Sequence, residues 1–178
     1  MRLFTKRVEA ESEHAEWVRG LLDKCEGRLI RYALRFTGNL EAARDVVQET
    51  FLRLCSTERQ KIEGREVAWL FAVCRSRAVD LLRKENRMSP LDEIQMASCE
   101  STEPTASESL IERERTAVVL KALAALPPRE QELVRLKFQE GLSYKEISAV
   151  TQLSVSNVGL LIHQGVRSLR EQLKAYVQ

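Results

Sequence analysis

Hydrophobic residues recur at helical spacing through most of the chain. Val18, Leu21, Leu22, Cys25, Leu29, Ala33 and Phe36 lie three or four apart and predict a helix over about 14–37, stopped by Gly38-Asn39. Ala43, Val46, Val47, Thr50, Phe51 and Leu54 form one face of a second helix. Residues 57–65 read as a polar loop with Gly64 near its end. A third helix follows over about 66–87, with Val67, Leu70, Phe71, Cys74, Ala78, Leu81 and Leu82 inward.

The pattern then lapses. Residues 88–109 hold two Pro, several Ser, five acids and no Lys or Arg. This composition predicts a flexible acidic linker, and hence a domain boundary rather than a long loop inside one core. Helical patterning resumes from Leu110 to Ala125 and is broken by Pro127-Pro128. A short helix spans about 129–140 and ends at Gly141. Ser143-Tyr144-Lys145-Glu146 has the S-x-x-E form of a capping box and opens a helix of about 144–151. A turn at Thr151-Gln152-Leu153 leads to Ser154 as N-cap of a last helix, about 155–176. Its inward residues are Val158, Leu161, Ile162, Gly165, Leu169 and Leu173. No strand and no internal repeat is predicted. The fold class is all-α: a tail over 1–13, a helix bundle over 14–87, the linker over 88–109 and a helix-turn-helix domain over 110–178.

Composition supports this reading. The 178 residues contain seven Gly and four Pro, about half the usual share, with 30% charged and 6% aromatic residues. A turn-rich β-sandwich is thereby disfavoured. The net charge of +2 hides an uneven distribution. Residues 15–87 carry 15 Lys/Arg against 11 Asp/Glu, residues 88–114 carry 1 against 7, and residues 115–178 carry 9 against 5. Two basic blocks flank an acidic connector. They fit polyanion contacts in two places, and each block alone equally fits ordinary solvated helix faces.

No run approaches the ~18 apolar residues of a membrane span, and MRLFTKRVEAESEHAEW lacks a signal-like apolar stretch. A cytoplasmic protein without membrane contact is expected. Cys25, Cys55, Cys74 and Cys99 are widely spaced and form no CxxC pair, so free thiols are expected, with Cys25 and Cys74 in the core. His14 and His163 are far apart without nearby Cys, so neither a zinc site nor any other cofactor is expected. The chain has no Gly-rich phosphate loop and no nucleophile elbow, and its acids sit at helical salt-bridge spacings. It does not read as an enzyme.

Two constellations carry candidate chemistry. On the third helix, Arg75, Arg77, Arg83, Lys84 and Arg87 fall opposite the apolar arc, with Trp69, Ser76 and Asp80. An indole on a basic arc can stack on a base while the cations hold phosphates, or it can pack against another helix. Asp80 can also simply pair with Arg83 and Lys84. In the second half, two short capped helices joined by a tight turn turn Ser156, Asn157, Leu160, His163 and Gln164 outward, as a major-groove reader does. Helical hairpins that bind no DNA share this pattern.

Two strings of residues, in this order, resemble the extracytoplasmic-function (ECF) type of sigma-70 family RNA polymerase sigma factors. The first runs Arg31-Tyr32-Ala33 to Thr37-Gly38-Asn39, Ala42-Ala43-Arg44-Asp45-Val46-Val47-Gln48-Glu49-Thr50-Phe51-Leu52, then Trp69 to Arg75 and Val79 to Arg83; it is similar to sigma region 2. The second runs Leu123 to Glu130, Gly141 to Ile147 and Leu153 to Val158; it is similar to region 4.

The resemblance implies a transcription initiation factor that binds core RNA polymerase and directs it to promoters. It places Arg44, Asp45, Gln48, Glu49 and Leu52 on the β′ clamp helices. It assigns −10 recognition and melting to Lys61, Arg65, Trp69, Arg75, Ser76, Arg77, Asp80 and Arg83, with the 60–66 loop cradling a flipped base. It gives −35 recognition to Arg129, Lys145, Ser154, Ser156, Asn157, Leu160, His163, Gln164 and Arg167, the apolar side of that helix meeting the β-flap. An anti-sigma factor is a further partner that the resemblance suggests.

Three features depart from the family pattern. Ser76 stands where Asn is frequent, Gln152 where the turn usually has Gly, and no Lys or Arg occurs from Ser154 to Val166. A helix-turn-helix regulator working without polymerase, or a helical protein-interaction module, would leave the region 2-like half or the DNA-facing residues without a role.

Overall fold

Helix α1 runs over Arg2–Thr37, α2 over Leu40–Cys55, α3 over Glu66–Glu85, α4 over Leu110–Ala124, α5 over Pro128–Phe138, α6 over Tyr144–Thr151 and α7 over Val155–Lys174. A computed structural model describes residues 2–85 and 110–174, and side chains over 12–84 and 114–174. The 88–109 stretch, Arg87 and Cys99 lie outside the described residues. Among the described residues there is no strand, and no helix is long and apolar enough to cross a membrane. Contacts divide the chain into two units, Met1–Glu93 and Ile94–Gln178.

The first unit packs α1, α2 and α3 against one another. Cys25, Leu29 and Ala33 of α1, Ala43 and Leu54 of α2, and Leu70, Phe71, Cys74 and Ala78 of α3 are fully buried. Tyr32 meets Phe71 edge-on at 5.1 Å between ring centroids and Phe36 at 5.2 Å. The α1–α2 corner is tight because Gly38 takes φ 62° and Asn39 caps α2, its side chain accepting from the Glu41 and Ala42 amides.

Helix α1 begins earlier than its apolar pattern predicts. Residues 2–13 contain no Gly or Pro and several good helix formers, and Phe4 and Val8 keep the spacing of Ala15 and Val18 with one break at Glu11, so nothing in the sequence stops the helix. His14 is tied down within it. Its Nε2 lies 3.1 Å from the Cys55 carbonyl, which can only accept, so the ring nitrogen is the donor.

In the second unit α7 packs against α4, α5 and α6. Pro128 opens α5, where a missing amide costs nothing. Leu123, Leu126 and Val134 form a cluster to which Leu169 of α7 adds. Buried Gln131 donates to the Leu123 carbonyl at 2.9 Å, which also accepts from the Leu126 amide at 3.3 Å at the end of α4. Helices α5 and α7 approach closely at Gly165. A Cβ there would lie 2.9 Å from Val134 Cγ2.

Candidate functional site

The outward side of α2 carries the first set. Arg44, Asp45, Gln48, Glu49 and Leu52 are all exposed, opposite the buried Ala43, Val46, Val47, Thr50, Phe51 and Leu54. Leu52 is 62% exposed, a large apolar side chain in a charged neighbourhood. Leu40, 45% exposed, starts the same i, i+4 row and was not singled out in the sequence. The row Leu40, Arg44, Gln48, Leu52 is about 18 Å long with an apolar residue at each end. That arrangement suits a protein partner better than water.

The polar loop is built more firmly than its composition predicts. A 3₁₀ turn spans Arg59–Lys61, and Ile62, 3% exposed, anchors the loop to the core. Gly64 adopts φ 76°. Lys61 Nζ pairs with Glu58 at 3.0 Å, and Arg65 donates to the Lys61 carbonyl at 2.9 Å. The Trp69 amide donates to the Arg65 carbonyl, so loop and indole are joined across one helical turn.

Trp69 is half-buried, intermediate between the two positions open to it. Along α3, Ser76, Asp80 and Arg83 lie within about 40° of it, and all three are exposed. Asp80 pairs with Arg83 at 3.9 Å. Arg77 is exposed at about 80° from Trp69 and reaches back to Glu49 of α2. Arg75 differs. It is half-buried and lies about 120° round the helix, away from the row on which the sequence placed it. The exposed pairs are each worth less than about 1 kcal/mol, so a phosphate can displace their carboxylates at little cost.

In the second unit, the Ser143 side chain accepts from the Glu146 amide, and the Glu146 carboxylate accepts from the Ser143 amide at 2.7 Å. Ser154 caps α7 by accepting from the Asn157 amide at 3.2 Å. Between them Gln152 takes φ 62°, the left-handed conformation that the missing glycine would have adopted more cheaply. Its side-chain amide donates to Ala149, its backbone amide to Ser148, and Ser148 Oγ donates to the Leu153 carbonyl. These bonds hold the strained turn.

Arg129, Lys145, Ser154, Ser156, Asn157, Leu160, His163, Gln164 and Arg167 are all exposed. Ser156, Leu160, His163, Gln164 and Arg167 share one face of α7 with Asn157 at its edge, opposite buried Val158, Ile162 and Gly165. Tyr144 lies across the start of α7, its ring in reach of Gly159, with Lys137 Nζ 5.4 Å from the ring centroid. Among the described residues no cluster of His, Cys, Asp or Glu could hold a metal ion.

The burial of Cys74 pushes its thiol up to about 12. Burial likewise lowers the Arg135 guanidinium. Neither group lies on an exposed face described above.

The family model for Sigma-70 region 2 matches residues 21–88, and that for Sigma-70, region 4 matches residues 116–169. The chain is similar to the ECF RNA polymerase sigma factor SigL of Mycobacterium tuberculosis, 30% identical over 172 residues that cover 93% of each chain. It is 31% identical over 148 residues to the ECF RNA polymerase sigma factor SigE of Mycolicibacterium smegmatis, covering 82% of this chain and 57% of SigE. This chain therefore spans little more than half of SigE. Among solved structures, it is similar in fold to a chain of the complex of sigma factor RpoE with the anti-sigma factor NepR from Bartonella quintana. That likeness has a TM-score of 0.64 at 21% identity and covers 88% of this chain and 96% of the other.

Proposed function

The chain belongs to the ECF RNA polymerase sigma factors, and from that premise we propose how its two units share the work of initiation. It is a transcription initiation factor that binds core RNA polymerase and directs it to promoter DNA. The α2 row of Arg44, Asp45, Gln48, Glu49 and Leu52, extended by Leu40, is the polymerase-binding surface. The loop through Arg65 and the α3 row Trp69, Ser76, Asp80 and Arg83, flanked by Lys61 and Arg77, engages the −10 element. There the half-buried indole offers a stacking face for a base taken out of the duplex, offsetting a few kcal/mol of unstacking. The exposed face of α7 with Lys145 and Arg129 engages the −35 element. Arg75, half-buried and about 120° round α3 from Trp69, is the remaining −10 candidate.

The observation that carries this reading is the coexistence of both surfaces in one chain. A dimeric helix-turn-helix regulator has no use for an exposed apolar and charged row on α2. The mechanism is binding without covalent chemistry, in the cytoplasm, where core polymerase works. Mixing the purified chain with core polymerase and a genomic DNA pool tests it. Co-elution with core and promoter-directed transcripts are expected; neither appearing would overturn the reading.

A further inference from the structure

The exposed face of α7 begins with a run that holds no Lys, Arg, Asp or Glu. Ser156, Asn157, Leu160, His163 and Gln164 occupy its first three turns, and no Lys or Arg occurs between Ser154 and Val166. Base-edge contacts in a major groove come from this N-terminal part of a recognition helix. The first Lys or Arg on the face is Arg167, about 16 Å along the axis from Ser156. Its Nε donates to Glu171 at 3.1 Å, which turns the guanidinium toward the C-terminal half of the helix. Lys145 lies on α6, outside this helix.

Guanine is read chiefly by a bidentate Arg or Lys on its O6 and N7. The chemistry for that contact is missing from the groove-facing turns. What is present suits the other base pair. The Asn157 and Gln164 amides each offer a donor and an acceptor, matching adenine N7 and N6. Leu160, 55% exposed, presents an apolar surface to a thymine methyl. Asn157 and Gln164 are two turns apart, about 10 Å, or roughly three base pairs along the groove. The amides thus bracket a short tract with Leu160 between them.

We propose that α7 reads A·T pairs at its contacted positions, with Asn157 and Gln164 on adenines and Leu160 on a thymine methyl, and requires no guanine there. This rests on the reading of α7 as the −35 reader. Phosphate anchoring then falls to Arg129, Lys145 and Arg167 around the helix, and few charges make the upstream contact only weakly salt-dependent.

The test uses the full-length chain bound to core polymerase. A promoter recovered from the genomic pool is rebuilt with its −35 segment randomised and its −10 segment fixed. Transcript sequencing reads the selected bases, and footprinting reads upstream protection. Enrichment of A·T over G·C by roughly tenfold at two or more protected positions is expected. Leu160→Arg is expected to move one of those positions toward G·C, and Asn157→Ala to relax another. Guanine enrichment at protected positions in the unaltered protein, or protection without base preference, would overturn the inference while leaving α7 as the −35 reader. No upstream protection on any template would overturn that reading itself and the inference with it.

Discussion

Arg77 Nε stands 3.5 Å from Glu49 Oε2, so an ion pair links the α3 face assigned to DNA with the α2 face assigned to polymerase. Both side chains remain about half exposed, at 46% and 59%. An exposed pair of this kind stabilises by less than about 1 kcal/mol. Its place matters more than its strength, because each partner can be drawn off by an arriving surface.

Arg77→Ala is therefore expected to lower the melting temperature by less than about 4 °C. Its larger effect is expected on promoter binding. Losing one phosphate contact reduces the logarithmic salt slope of promoter binding by about 1. Calorimetry and promoter binding over a salt series separate the two. A large loss of stability with an unchanged salt slope would make Arg77 a structural residue only.

Trp69→Ala and Asp45→Lys form a pair with opposite signatures. The first removes the stacking face beside the 60–66 loop and is expected to abolish most promoter melting, seen by permanganate reactivity, while co-elution with core persists. The second reverses a charge on the exposed α2 row and is expected to weaken co-elution with core. Promoter melting at wild-type level by Trp69→Ala would remove the indole from the −10 site, and unchanged co-elution of Asp45→Lys would remove that carboxylate from the polymerase surface.

Most of the fold was legible because apolar spacing and capping both mark helices. The 143–146 capping box, the Ser154 cap and the turn between them follow from short-range chemistry, so sequence locates them closely. The start of α1 was not legible, since Glu11 interrupts the spacing that joins Phe4 and Val8 to Ala15 and Val18. Buried Ile62 leaves no trace in the pattern, because a lone apolar residue in a polar loop has no period to reveal it. At 100° per residue Arg75 falls about 120° from Trp69 and within about 20° of Leu82, so its half-burial follows from the wheel itself. Leu40 shows the converse, an apolar residue whose exposure appears only once α2 is set against α1 and α3.

The thiols divide by burial. Cys55 is exposed, and Cys25 and Cys74 are buried. Cys74 is raised from 9.0 to about 12, first by desolvation and with a smaller opposing contribution from a hydrogen bond with Thr50. A neutral-pH thiol reagent should modify Cys55 promptly and Cys25 and Cys74 only on unfolding. The raised value also gives a pH dependence. Below about pH 9 the Cys74 thiol is protonated in both states and contributes no slope. Between about 9 and 12 the unfolded thiol ionises first, so stability falls as pH rises. Urea melts across that range should show the fall diminished in Cys74→Ala; an identical slope in both proteins would contradict the assignment.

Gln152 carries a left-handed φ of 62° that costs about 1 kcal/mol in a residue with a Cβ. Gln152→Gly is expected to recover much of that, reduced by the loss of its exposed bond to Ala149. Gln152→Val loses that bond and adds a β-branch where the turn least tolerates one, so it is expected to destabilise. Urea denaturation should place the three proteins in the order Gly, Gln, Val. A valine variant as stable as the parent would show that the turn relaxes out of the left-handed region.

The two glycines of α7 test the packing most directly, because the same substitution is expected to act in opposite directions. At Gly159 an added Cβ would lie 3.6 Å from the Tyr144 ring, ordinary contact distance. Gly159→Ala should therefore gain helix propensity, about 1 kcal/mol. At Gly165 the added Cβ would lie 2.9 Å from Val134 Cγ2 and 3.4 Å from Glu130 Cβ. Neither neighbour is the free end of a long chain, so α5 and α7 must separate, and overpacking of this kind costs about 1–3 kcal/mol. That exceeds the propensity gain over most of its range, and Gly165→Ala is expected to be net destabilising. Val134→Ala removes the clashing methyl, so in the double variant the alanine at 165 should be tolerated better than alone. Measured by urea melts, a positive coupling between positions 134 and 165 with none between 134 and 159 would place the α5–α7 crossing at Gly165. Additive effects at both glycines would refute that close approach.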